Sequence, residues 1–233
     1  MAAPSREAGQ REKEDDVTLT VGHRSRIRSI VFDLDGTLYV NERVGNEIEQ
    51  AACSLIARSR GVSREGGCGL LRHAREQLSA MHGPAPSLNR ICIEMGIDLR
   101  EFHDALHREV HPERHILPDP LLRALLASLG ERCRLYLYTN NNYFLSRKIL
   151  TLLGVENLFD KLFPIEFCWR PKPDPEALNL LLADIGGPPE SFLFVGDREH
   201  IDLLPPADLG IATLLVREVA DLRQIHQILD RDL

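Results

Sequence analysis

The 233-residue sequence predicts an α/β fold, in which a parallel sheet carries helices on both faces and an all-helical segment is inserted. Three observations lead there. Short apolar runs end in polar turns at 28–33, 134–141 and 191–197, and a fourth apolar run covers 211–216. Stretches of helical period lie between them, at 120–129, 143–153, 175–185 and 218–229, with Gly154 and Gly186 at C-cap positions. Strands that alternate with helices imply crossover units and a parallel sheet. Residues 44–115 break this alternation and read as helices only.

Taken in order, residues 1–26 are polar and charge-rich and read as a partly disordered tail, with one short apolar stretch at 17–21 as a candidate added strand. The core is expected at 27–43 and 116–233, and a helical cap at 44–115. Within the cap the helical stretches are 44–59, 64–81, 87–95 and 99–110, punctuated by Pro84, Pro86 and Gly96. The chain re-enters the core through Leu117-Pro118-Asp119-Pro120. The run at 161–165 is a weaker fifth strand, because Pro164 cannot donate to a sheet.

Composition narrows the function classes. Lys and Arg total 28 against 35 Asp and Glu, a net charge of −7, and no basic block stands out. An electrostatic grip on a nucleic acid polymer or an anionic membrane is therefore not expected. No apolar run approaches the roughly 20 residues that span a bilayer. The opening residues lack the apolar core of a secretory signal. Five cysteines (Cys53, Cys68, Cys92, Cys133, Cys168) are scattered without a CxxC pair, which reads as inert, mostly buried thiols in a reducing cytoplasm. Monomer and homodimer are equally compatible with the sequence.

The chemistry-bearing residues fall where the predicted strands end. Asp33 and Asp35 stand two apart before Gly36 and Thr37. An aspartate at a strand end commonly just caps the next segment. Here, however, Thr139, Lys172, Asp197 and Asp202 also sit in loops after apolar runs, and in open parallel sheets function collects beyond the carboxyl ends of the strands. Carboxylates gathered so densely repel one another, and a divalent cation together with Lys172 would relieve that repulsion.

In these residues the sequence resembles the haloacid dehalogenase-like hydrolase superfamily, in its phosphatase branch, over about residues 27–40 and 117–217. Its motifs stand here as Asp33-Leu34-Asp35-Gly36-Thr37-Leu38, Thr139-Asn140, Lys172 within Arg170-Pro171-Lys172-Pro173, and Gly196-Asp197 with Asp202. The resemblance implies a Rossmann-like core with a cap that closes over the site and chooses the leaving group. It implies Asp33 as nucleophile and Asp35 as general acid and base. Mg²⁺ would be held by Asp33, the Asp35 carbonyl and Asp197, while Thr139, Asn140 and Lys172 would hold the phosphoryl oxygens. Asp202 would orient Lys172 or a metal-bound water.

Tyr39 and the stretches 117–122, 138–140 and 152–160 are similar to the pyrimidine 5′-nucleotidase-like subgroup. That likeness implies a small soluble phosphate ester as substrate, first a pyrimidine nucleoside 5′-monophosphate. A phosphoglycolate or sugar phosphate, and a phosphomutase reaction on the same site, are the alternatives. Dehalogenation of a 2-haloacid needs neither Asp35 nor a metal, and a non-catalytic phosphate-binding module needs neither Asp33 nor Asp35, so both are disfavoured.

Three other features have plainer readings. His103, His107 and His111 recur at i, i+4, i+8 with His115 beyond, a spacing that can ligate a transition metal. The charged residues around them favour a solvated face instead. Tyr143, Phe167 and Trp169 are read as packing residues rather than as a platform for a base. Arg198 either reaches a second anionic group of the substrate or pairs with a surface acid, and the second is the ordinary use of an arginine.

Overall fold

A computed structural model describes residues 27–231, so the expectations for the tail, including the strand at 17–21, lie outside the described residues. Five parallel strands run in the order β3-β2-β1-β4-β5, with β1 Ser29–Phe32, β2 Arg134–Tyr138, β3 Lys161–Phe163, β4 Phe192–Gly196 and β5 Ala212–Leu215. The central strand β1 is buried along its whole length. Its side chains alternate between two apolar layers, as the two-residue period of a strand requires. Ile30 and Phe32 join Leu135, Leu137, Leu193 and Val195 on one face, and Val31 joins Tyr136, Tyr138 and Phe194 on the other. Helices α5 (Pro120–Gly130) and α6 (Tyr143–Leu153) cover the first face, and α7 (Pro175–Ile185) covers the second.

Register decides where the polar turns meet. Phe32 aligns with Leu137 on one side and Val195 on the other. The loops that begin at Asp33, Thr139 and Asp197 therefore emerge side by side.

Four helices follow β1 before the chain returns to the sheet, namely α1 Glu42–Arg60, α2 Arg64–His82, α3 Leu88–Glu94 and α4 Leu99–Glu109. Each starts on a side-chain cap, Asn41, Ser63, Ser87 and Asp98 respectively, that accepts from the first free backbone N–H groups. The α1–α2 hairpin is unusually close at Gly67, where a Cβ would lie 2.3 Å from the Cys53 carbonyl oxygen. That approach brings Cys53 and Cys68 to a Cα separation of 4.7 Å, and they form a disulfide. The expectation of five separate thiols is thereby corrected. The pair is made by helix packing across 15 residues of chain, and so no short-range spacing motif announces it.

The sheet ends as the composition dictates. Pairing of β3 stops at Phe163, before Pro164. The stretch expected as one helix at 218–229 divides into a 3₁₀ turn, Val219–Arg223, and α9, Gln224–Arg231. After β4 a π-turn at Glu199–Leu203 leads into the short α8, Leu204–Asp208. Gly196 is required beneath that turn, because a Cβ there would meet Asp202 Cβ at 2.4 Å.

Candidate active site

Asp33 follows β1 directly, and its backbone N–H donates to the Val195 carbonyl, which ties the first loop to β4. Gly36, at φ +86°, turns this loop tightly under Asp197. A Cβ at Gly36 would stand 2.3 Å from Asp197 Oδ2, so only glycine lets the two acidic loops approach.

Lys172 lies buried at the centre of the cluster. Its ammonium donates to Asp33 Oδ1 at 2.6 Å, to Asp202 Oδ1 at 2.7 Å and to the Tyr138 carbonyl at 2.9 Å. All three of its donors are thereby used. Burial works against the charged lysine, but Asp202 and Asp33 outweigh it and raise its pKa. Burial also drives Asp33 up to about 7, against the pull of Lys172. The loop that carries Lys172 is fixed by Asn140, which accepts from the Lys172 N–H at 2.7 Å and donates to the Lys172 carbonyl at 3.2 Å.

Asp197 differs from its neighbours. Its Oδ1 is buried and has no hydrogen-bond partner among the described residues. The nearest cation, Arg198 Nε, is 3.7 Å away, within reach of its charge but beyond a hydrogen bond. One oxygen each of Asp33, Asp197 and Asp202 lie within 4.8 Å of one another. Both Asp202 oxygens are engaged, one by Lys172 and the other by the Arg198 N–H at 3.1 Å. Asp197 thus keeps an unpartnered oxygen close to Asp33, whose Oδ2 accepts only a long 3.5 Å bond from the Thr37 hydroxyl. A hard divalent cation, which takes few carboxylates and keeps its waters, fits that donor set.

Asp35 is held from both sides. Tyr39 donates its hydroxyl to Oδ1 and Asn141 donates Nδ2 to Oδ2 at 2.6 Å. Burial raises the Asp35 pKa, with the Tyr39 hydrogen bond acting the other way. Thr139 is buried, and its hydroxyl oxygen accepts from the Asn141 N–H at 3.1 Å. The Asn140 side chain is committed to Lys172, so the phosphate-binding role expected of it is open only to its backbone.

A cavity of about 380 Å³ separates this cluster from the inserted helices. Asp35, Asp197 and Arg198 line it from the core, and Asn89, Phe102 and His103 from α3 and α4. Asn89 joins the two parts, since it donates to the Asn140 carbonyl at 2.8 Å while its own Oδ1 sits 3.0 Å from His103 Nε2. His103 is buried, and desolvation lowers its pKa to about 4, which keeps it neutral. A solvated face is therefore the wrong description of His103. His107 packs on Phe144, while the His111 N–H and His115 Nε2 contact Glu47. Among the described residues these histidines form no shared ligand cluster. Trp169 packs against Arg100 and His103, Phe167 packs on Phe163, and Tyr143 is exposed. None of these three lines the cavity.

Asn89 and Asn141 join the site beyond the residues that the sequence motifs name, and His103 enters it as a buried partner of Asn89 rather than as a metal ligand or a solvated residue. The run Thr139-Asn140-Asn141-Asn142 was the available signal for Asn141, because consecutive amides after a strand must find partners. Asn89 lies in a helix far along the chain, and nothing local marks it.

Four polar loops at one edge of a parallel sheet, around a buried lysine, now have a counterpart among known proteins. Residues 27–210 match the haloacid dehalogenase-like hydrolase family. The chain is a haloacid dehalogenase-like hydrolase. Curated relatives of this hydrolase are themselves named for phosphate chemistry. A phosphoglycolate phosphatase of Cereibacter sphaeroides is 29% identical over 209 residues, covering 85% of this chain and 89% of the relative. A pyrophosphatase PpaX of Bacillus pumilus is 27% identical over 195 residues, covering 82% and 83%. In three dimensions the hydrolase is similar to a HAD phosphatase of Thermococcus onnurineus, with TM-score 0.57, 19% identity and coverage of 86% of this chain and 98% of that one. That likeness concerns the fold.

Proposed function

We propose that this hydrolase is a Mg²⁺-dependent phosphatase of small soluble phosphate esters that works through an aspartyl-phosphate on Asp33. The observation that carries the reading is Lys172, bridged between Asp33 and Asp202 beside the unpartnered Asp197 oxygen. A carboxylate nucleophile attacking a phosphoryl group meets a dense negative charge, and catalysis of phosphoryl transfer is mainly positioning and charge neutralisation.

In the first step an Asp33 oxygen attacks phosphorus and the bond to the ester oxygen breaks. Asp35 gives that oxygen its proton. In the second step a water attacks phosphorus, Asp35 takes the water's proton, and Asp33 is released with its own oxygens. The raised pKa of Asp35 suits a group that must start protonated. As Asp33 attacks, the Lys172 N–H that it accepts in the free site would turn to an equatorial oxygen, the Thr139 hydroxyl would hold another, and Asp202 keeps Lys172 in place. Asp33, the Asp35 carbonyl and Asp197 would hold Mg²⁺, which supplies positive charge at the phosphoryl group. Helices α1–α4 would serve as a cap that keeps bulk water out.

The substrate is less constrained by the stretches shared with pyrimidine nucleotidases. Asp119 caps α5, Gly154 caps α6, Asp160 accepts from the Leu135 N–H, and Phe159 packs on Phe32. Those residues shape the core; of the likeness only Tyr39 and Asn140 line the cavity, and their side chains are committed to Asp35 and to the Lys172 loop. The relatives named for phosphoglycolate and pyrophosphate therefore weigh more than the nucleotide likeness. The test is phosphate release in Mg²⁺ or EDTA from UMP, CMP, AMP, phosphoglycolate, pyrophosphate, sugar phosphates and p-nitrophenyl phosphate, with Asp33→Asn alongside. Turnover that needs both Mg²⁺ and Asp33 is expected. Failure to release phosphate from every compound overturns the reading.

A further inference from the structure

Arg198 is the one charged cation in the wall of the cavity among the described residues. The other charged groups there are Asp35, Glu42 and Asp197. Its backbone is fixed, because its N–H donates to Asp202 Oδ2 and its carbonyl accepts from the Ile201 and Asp202 N–H groups. Its side chain is not. The guanidinium is half-buried, stands 3.7 Å from Asp197 through Nε, and makes no side-chain hydrogen bond among the described residues. A fork of N–H donors thus hangs over the cavity on a rigid stem. A leaving group without charge would close the cavity over these donors and leave them unmatched.

We propose that Arg198 is a specificity-determining residue that selects substrates carrying a second oxyanion, a carboxylate or a second phosphate, close to the phosphoryl group that is cleaved. The planar guanidinium matches either oxyanion with two parallel hydrogen bonds, and desolvation in the closed site strengthens them. The inference rests on the phosphatase reading and narrows its substrate class. A cation that only balanced Asp197 would favour no particular leaving group.

Three substrates of similar size separate these roles: 2-phosphoglycolate, pyrophosphate and 2-hydroxyethyl phosphate, whose leaving group alone carries no charge. In Mg²⁺ the wild type favours one or both of the first two over the third by about tenfold or more in kcat/KM. Arg198→Ala lowers that selectivity ratio by roughly ten- to a hundredfold, and Arg198→Lys retains part of it. The arm that loses more identifies the oxyanion as carboxylate or phosphate. A proportional fall on all three, or a wild type that cleaves 2-hydroxyethyl phosphate as well as the two substrates with a second oxyanion, overturns the assignment while the phosphatase reading stands. If Arg198→Ala does not fold, the wild-type ratio and Arg198→Lys decide. Release of no phosphate from these or from p-nitrophenyl phosphate is the failure of the phosphatase reading itself.

Discussion

Asn89 Nδ2 donates to the Asn140 carbonyl at 2.8 Å, so the inserted helices are hydrogen-bonded to the residue that fixes Lys172. Movement of those helices is therefore coupled to the loop that holds the central lysine. Asn89→Ala removes this link and also leaves His103 Nε2 without its partner. The variant is expected to lose about 1–3 kcal/mol of stability. It is also expected to lose about tenfold in kcat/KM, because loosened inserted helices would admit water to the cavity and let the lysine loop drift. Thermal unfolding and steady-state kinetics measure the two effects separately.

Tyr39 offers a test of Asp35. Its hydroxyl donates to Asp35 Oδ1 and so favours the ionised carboxylate. Burial already raises the Asp35 pKa, and Tyr39→Phe removes a force that opposes this rise. A general acid is active while protonated. The limb of kcat/KM that falls as Asp35 ionises is thus expected to move to higher pH in Tyr39→Phe. A limb that stays in place, or moves down, would separate Asp35 from the acid role.

Asp33 makes stability depend on pH in the metal-free protein. Its folded pKa of about 7 lies above its ordinary value of 3.8, chiefly through burial. The folded state therefore binds a proton more tightly than the unfolded chain. The resulting stability is full below pH 3.8 and is lost as the pH rises through 7. In EDTA, Asp33→Asn is expected to unfold several degrees above wild type at pH 8, an advantage that disappears near pH 4. Addition of Mg²⁺ should raise the wild-type midpoint and leave the variant nearly unmoved.

The Cys53–Cys68 disulfide ties α1 to α2 across 15 residues. Closing a loop of that length is worth about 3 kcal/mol in the chain-entropy account. A reductant should lower the unfolding midpoint of wild type but not of a Cys53→Ser, Cys68→Ser double variant. Thiol titration of the unfolded, unreduced protein should find the three thiols of Cys92, Cys133 and Cys168.

Much of the core could be read from the sequence because its signals are local. The apolar run before Asp33 is a central strand whose neighbours end level with it, and register alone then places Thr139 and Asp197 beside it. Other relationships depend on distance along the chain. Asn140 and Lys172 are 32 residues apart, and Asn89 and Asn140 are 51 apart, so pattern and spacing are silent about both. His103 misled for a related reason. Its flanking charges describe the outer face of α4, whereas the imidazole itself turns inward to Asn89. The π-turn after Asp197 follows from Asp202 folding back onto Lys172, a tertiary demand that no helical period expresses.

The most direct test of the nucleophile uses Asp35→Asn with p-nitrophenyl phosphate in Mg²⁺. This leaving group departs without a proton, so the first step proceeds, while the second lacks its base. A burst of about one p-nitrophenolate per enzyme followed by a stall is expected. The acid-quenched protein should then carry a phosphoryl group on the peptide that contains Asp33, and Asp33→Asn should show neither burst nor label. Steady phosphate release with no phosphorylated peptide, or a burst that survives in Asp33→Asn, would contradict Asp33 as the nucleophile.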